Sequence, residues 1–178
     1  MILMLGTPGA GKTTQTKLLA EYLHCPWFSM GQLIREHTDG ADRKDMLAGK
    51  ILNDEVTLQI LDKALQKIDT KNECVVEGNP RSHTQADWWL AQQAAGRFKI
   101  RGVIHLTANP KIAEERLVER GRLDDHDEGV VEKRFSEYQR STEPTVKYLS
   151  EKAVPIFEVN GDGSRQEVAA AILKALGI

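Results

Sequence analysis

Residues 1–23 read MILMLGTPGAGKTTQTKLLAEYL: five apolar residues, a turn with three glycines, a lysine, and then a helical pattern. The turn Gly6-Thr7-Pro8-Gly9-Ala10-Gly11-Lys12-Thr13 fits G-x-x-x-x-G-K-[ST], a loop that wraps backbone N–H groups around phosphates. Each residue type has a physical task. Glycine lets the chain take positive φ and approach an anion closely, and a helix starting near Gly11 aims its unpaired N–H groups and positive dipole end at it. Lys12 adds a point charge for the outer phosphates, and Thr13 a hydroxyl suited to a magnesium ion. Leu18, Leu19, Tyr22 and Leu23 recur on one face, which is expected to pack against a sheet.

The whole chain sets the frame for that loop. With 178 residues, 40% of them hydrophobic and 28% charged, it suits a single compact domain with a substantial core. Lys plus Arg number 24 against 26 Asp plus Glu, a formal charge of −2, which gives no general attraction to nucleic acid or an anionic membrane. Cys25 and Cys74 lack C-x-x-C spacing and read as free thiols rather than a disulfide framework or a zinc site. The sequence contains no run of about eighteen apolar residues, and MILML is too short and lacks the basic start of a signal peptide, so a cytoplasmic protein is expected.

Apolar runs at 2–5, 74–77, 100–106 and 154–159, with a weaker one at 26–29, alternate with helical patterns of about a dozen residues. That alternation predicts an α/β fold with a five-stranded parallel sheet, right-handed crossovers and helices on both faces. Ligands then sit at the carboxyl ends of the strands. The polar stretch at 31–58 is unlike the sheet-forming parts and reads as an inserted helical flap.

Arginines recur beyond the strand ends. Arg35 follows the second strand, Arg81 the third, and Arg116, Arg120, Arg122 and Arg134 come late. Arg116 and Arg120 are four apart and share a helix face. Phosphoryl transfer asks a protein mainly for in-line positioning and for cations that neutralise shifting oxygen charge, and guanidinium groups supply both. A monophosphate acceptor is already largely ionised at neutral pH, its second pKa being about 6, so no general base is required. A hydroxyl acceptor would benefit from a positioned carboxylate, and FSMGQ after the second strand offers none.

The segments GTPGAGKTTQ, SMGQLIR, EGNPRSHTQ and RLVERGRLDD occur in this order. Together they resemble the nucleoside monophosphate kinases, closest to adenylate kinase of the short-lid type, over essentially the whole chain. The resemblance implies a P-loop NTPase three-layer fold: a core of 1–30, 59–120 and 127–178, an NMP-binding flap at 31–58 and a short lid at 121–126. It implies the reaction MgATP plus AMP giving two ADP, by a protein expected to be a monomer.

The same resemblance assigns residues. Gly9, Ala10, Gly11, Lys12, Thr13 and Thr14 would hold ATP, with Arg116 and Arg120 and, at the end of the last strand, Asn160 and Gly161. Ser29, Met30, Arg35, Gly78, Arg81 and Gln85 would hold the monophosphate, Gln85 reading the edge of adenine. Lys12, Arg81, Arg120, Arg122 and Arg134 would act on the transferring phosphates, oriented by Asp124 and Asp125. Magnesium would meet Thr13 or Thr14 and, through water, Glu77. No zinc is expected, because the lid has no room for metal-binding cysteines.

The chain departs from the family pattern around magnesium and the acceptor. Gln32 and Glu77 stand where Asp is usual, Met30 replaces a small Thr, Asn79 replaces an aromatic, and Thr13 replaces a glycine. Two alternatives follow: a kinase for CMP, UMP or a deoxynucleotide, and a nucleotide-binding regulatory protein with weak catalysis.

Overall fold

The opening apolar run is β1 (Ile2–Gly6), buried along its whole length. It is apolar on both sides because it is the middle strand of a parallel sheet covered on both faces. Leu3 and Leu5 enter one core cluster, while Ile2 and Met4 enter the other. The computed structural model describes residues 1–40, 44, 48, 51–120 and 129–178, without the side chain of Arg120.

The remaining strands are β2 (Trp27–Ser29), β3 (Val75–Glu77), β4 (Gly102–Thr107) and β5 (Ile156–Asn160). Their order is β2-β3-β1-β4-β5 and every pairing is parallel. The five strands lie where the apolar runs predict them, β2 to β5 starting one or two residues later than expected. Pro155 has no amide hydrogen, so pairing of β5 begins at Ile156, although the Pro155 carbonyl still accepts from the Val103 amide at 2.8 Å. From β1 the chain passes to one side of the sheet and later returns to the other, which opens a crevice beyond the carboxyl end of β1.

The described helices are α1 (Lys12–Tyr22), α2 (Met30–His37), α3 (Asp54–Leu65), α4 (His83–Ala94), α5 (Pro110–Arg120), α6 (Val130–Glu137), α7 (Glu143–Glu151) and α8 (Arg165–Leu176). A π-helical turn, Tyr138–Thr142, joins α6 to α7. Local capping sets several starts. Asn53 accepts from the Glu55 amide before α3, Ser82 from the Gln85 amide before α4, and Ser164 with Glu167 forms a capping box before α8. Each cap contributes about 1 kcal/mol.

The buried face of α1 differs from the one its leucines predict. Gln15, Thr16, Leu19 and Ala20 are buried, whereas Leu18 and Tyr22 are exposed and Leu23 is half-buried. The inward face carries the polar pair Gln15 and Thr16, and Gln15 meets the start of α8, donating to the Arg165 carbonyl at 3.0 Å. Trp89 is fully buried on α4, edge-on to the half-buried Trp88 with ring centroids 5.5 Å apart.

Candidate active site

The loop between β1 and α1 is tied to the end of β4. The Thr7 amide donates to the Leu106 carbonyl at 3.1 Å, and the Thr7 hydroxyl accepts from the Ala108 amide at 3.1 Å. Gly11 caps α1 with φ +91° and no side-chain partner for the first-turn amides, leaving them to face an anion. The Lys12 ammonium crosses the loop and donates to the carbonyls of Gly6 (2.9 Å) and Thr7 (2.6 Å). It is held on a short leash beside the helix end.

Opposite the loop, β3 delivers Glu77 and the turn after it delivers Arg81. The Thr13 hydroxyl donates to Glu77 Oε2 at 3.1 Å, joining the start of α1 to the end of β3. Arg81 Nε donates to the Gly78 carbonyl at 3.0 Å. Burial pushes the Arg81 guanidinium below the usual arginine range; Glu77 works the other way, and the nearby Arg134 adds to the lowering. Two guanidinium groups beside one carboxylate form a region that gains from a bound polyanion.

These groups border one cavity of about 720 Å³, large enough for nucleotides. Its walls include Gly9, Ala10, Gly11, Lys12, Thr13 and Thr14 from the loop, Ser29 and Arg35 from the second crossover, and Glu77, Gly78 and Arg81 beyond β3. Arg116, Arg134 and Gly161 complete it. Arg116 grips the turn after β5: its Nη1 donates to the Gly161 carbonyl at 2.6 Å, and its Nη2 to those of Asp162 (3.2 Å) and Gly163 (3.1 Å). A side chain at Gly161 would stand 2.8 Å from the Ala10 carbonyl, so glycine lets this turn close on the phosphate loop.

Three expected residues lie elsewhere. Met30 is buried in the core, and Asn160, though exposed, turns its side-chain oxygen to the Asp162 amide at 2.9 Å. Gln85 is 1% exposed and does not border the cavity; its amide is engaged by Asn79, Arg81 and Asp54. The expected lid at 121–126, with Arg122, Asp124 and Asp125, and the side chain of Arg120 lie outside the described residues.

Other wall residues escape a reading by motif. Tyr138 and Thr142 come from the π-helical turn, a feature that hydrophobic periodicity does not announce. Gln15 reaches the cavity wall from the buried face of α1 and donates to the Arg165 carbonyl at 3.0 Å. Among the described residues no group of three or more His, Cys, Asp or Glu is placed to hold a metal, and no helix is long and apolar enough to cross a membrane.

Comparison with known proteins agrees with this geometry. The sequence model of the adenylate kinase family matches residues 4–154. The chain is 32% identical to adenylate kinase 1 of Nostoc sp. (strain PCC 7120), across 99% of this chain and 98% of that protein. It is 32% identical to adenylate kinase of Corynebacterium urealyticum, across 98% of each. With adenylate kinase of Mycobacterium tuberculosis the identity is 34%, across 99% of this chain and 98% of that protein. Similarity that runs from end to end, on a parallel sheet whose first loop faces arginines from later strands, shows that the chain belongs to the adenylate kinase family.

Proposed function

We propose that this phosphotransferase moves the γ-phosphoryl group of MgATP to AMP, giving two ADP. The observation that carries the reading is a shared cavity in which the phosphate loop faces Arg35, Arg81 and Arg134. A protein that merely bound ATP would need the loop, but not cations drawn from three other segments.

In this reading the α1 amides and Lys12 hold the β- and γ-phosphates of the donor, and Arg35 and Arg81 hold the acceptor phosphate from the other side. Arg134, with Arg120 and Arg122, neutralises the oxygens whose charge shifts during transfer. The acceptor oxygen attacks γ-phosphorus in line, and the bridging oxygen leaves with ADP. No protein group has to take a proton, because the acceptor arrives ionised. Closure of the flap at 31–58 and the lid at 121–126, with Asp124 and Asp125 orienting the lid arginines, would exclude water as a competing acceptor. A monomer completes both sites within one chain.

Magnesium fits the residues present. The Thr13 hydroxyl and Glu77 carboxylate, 3.1 Å apart on the cavity wall, are hard oxygen ligands of the kind this ion prefers. Thr13 would meet the ion and Glu77 would hold one of its waters; the ion would draw charge from the donor phosphates. Thr13→Gly removes the hydroxyl and is expected to raise the magnesium concentration for half-maximal rate about fivefold. A magnesium titration at fixed ATP checks this.

Arg116 shapes the donor side through three carbonyls after β5. Arg116→Leu is expected to raise KM for ATP about tenfold with kcat within about twofold, the pattern of lost uniform binding. Steady-state kinetics at saturating AMP measure it.

The reading as a whole is tested by incubating the purified chain with MgATP and, in turn, AMP, CMP, UMP and dAMP. ADP formation at twice the rate of AMP loss supports it; ATP binding without turnover of any monophosphate contradicts it.

A further inference from the structure

His105 is buried on β4 and does not border the nucleotide cavity, yet both of its ring nitrogens are engaged. Nδ1 lies 2.8 Å from Glu158 Oε2 on the neighbouring strand β5, and Nε2 lies 2.8 Å from the Tyr138 hydroxyl on the π-helical turn. An ionised carboxylate only accepts, so the Nδ1 that faces it carries the proton, and a neutral ring presents a bare Nε2 on its other side. Tyr138 donates to that nitrogen. Burial pushes the Tyr138 hydroxyl up to about 12, with Glu143 and Glu158 adding to the rise, so at neutral pH the phenol keeps the proton it donates.

This bond holds a stretch of the cavity wall. Arg134, Tyr138 and Thr142 all border the cavity, and Tyr138 follows Arg134 by four residues, one helical turn along the same face. The π-helical turn begins at Tyr138, so the regular ladder of α6 is interrupted just beyond Arg134. Tyr138 is 7% exposed, and its buried hydroxyl finds its partner in the sheet. The end of the helix that carries Arg134 is thus fixed from outside, by β4 and behind it by β5.

We infer that His105 is a positioning residue for Arg134, acting through the Tyr138 hydroxyl, and that Glu158 keeps its ring in the accepting tautomer. The inference rests on the reading of the cavity as a phosphoryl-transfer site. It gives the arginine wall an anchor in the parallel sheet.

His105→Leu and Tyr138→Phe are each expected to lower kcat about tenfold with KM for ATP and AMP kept within about threefold, because Arg134 acts on oxygens whose charge shifts only as the phosphoryl group moves. Both changes break one bond, so the double variant should stay within about threefold of the poorer single variant. His105→Gln keeps a side-chain oxygen that can accept from Tyr138, and should hold kcat within about threefold of the wild type. Losses that multiply in the double variant, a glutamine no better than leucine, or an unchanged kcat in the single variants overturns the inference.

Should the leucine variant fail to fold, the wild-type chain answers through the nitrogen resonances of the His105 imidazole. In the neutral ring they are expected to show a protonated Nδ1 and a bare Nε2; a proton on Nε2 overturns the assignment. The Arg134 Nε–H resonance is expected to shift in Tyr138→Phe and to stay in place in His105→Gln, and an unmoved signal in Tyr138→Phe overturns the link to Arg134. Absence of phosphoryl transfer to every monophosphate would sink the proposed activity, while these resonances would still report on the anchor.

Discussion

Lys12→Ala is expected to lower kcat by about 10³-fold, the scale set when one cation facing a transferring phosphoryl group is removed. The ammonium donates to the Gly6 and Thr7 carbonyls within the same loop that offers its amides to the donor. The charge is thus positioned before substrate arrives, and little reorganisation is needed when the γ-phosphoryl group begins to move. Two hydrogen bonds are lost as well. Their contribution is about 1–3 kcal/mol, which would show as a lower Tm. The kinetic loss should greatly exceed the structural one, and single-turnover rates at saturating nucleotide separate them from weakened binding.

Gly6→Ala is expected to cost about 4 kcal/mol or more of stability, or to prevent folding. Gly6 ends β1 at φ +140°, and a β-carbon there would lie 1.8 Å from the Leu106 carbonyl oxygen. That contact is with backbone of the neighbouring strand β4, so no side-chain rotation relieves it. The two strands would have to separate where Gly6 pairs with Leu106. Urea unfolding of the variant against the wild type measures the cost. A difference within 1 kcal/mol, taken as about the experimental scale for an ordinary surface change, would show that the loop bends more freely than its geometry implies.

The fold was legible because its strongest signals are local. A strand buried on both faces must be apolar along its length, as Ile2–Gly6 is, and the glycine loop after it has few structural alternatives. Positions of Arg35, Arg81 and Arg134 could be anticipated because each follows a strand or sits on the late helical segment that returns to the cavity. The buried face of α1 was not legible: helical periodicity favoured Leu18 and Tyr22, while the structure buries Gln15 and Thr16, with Gln15 held by the distant Arg165 carbonyl.

Gln85 shows where motif reading stops. The family resemblance names it, but its hydrogen-bond partners Asn79 and Asp54, and Trp89 behind Asn79, are ones that no local pattern connects to it. Arg116 is similar. A helix position predicts a guanidinium at the cavity, yet its grip on three successive carbonyls after β5 arises only when distant segments meet. The five strands are set by composition, whereas these polar contacts are set by tertiary packing.

The central claim is that donor and acceptor phosphates lie end to end between the α1 amides and the arginines beyond β2 and β3. Its most direct measurement is the affinity of the chain for two adenosines joined by five phosphates, relative to ATP and AMP alone. One molecule spanning both sites is expected to bind at least about 100-fold more tightly than ATP, because its second contact is intramolecular. Binding no tighter than ATP would contradict a shared cavity with facing phosphate sites.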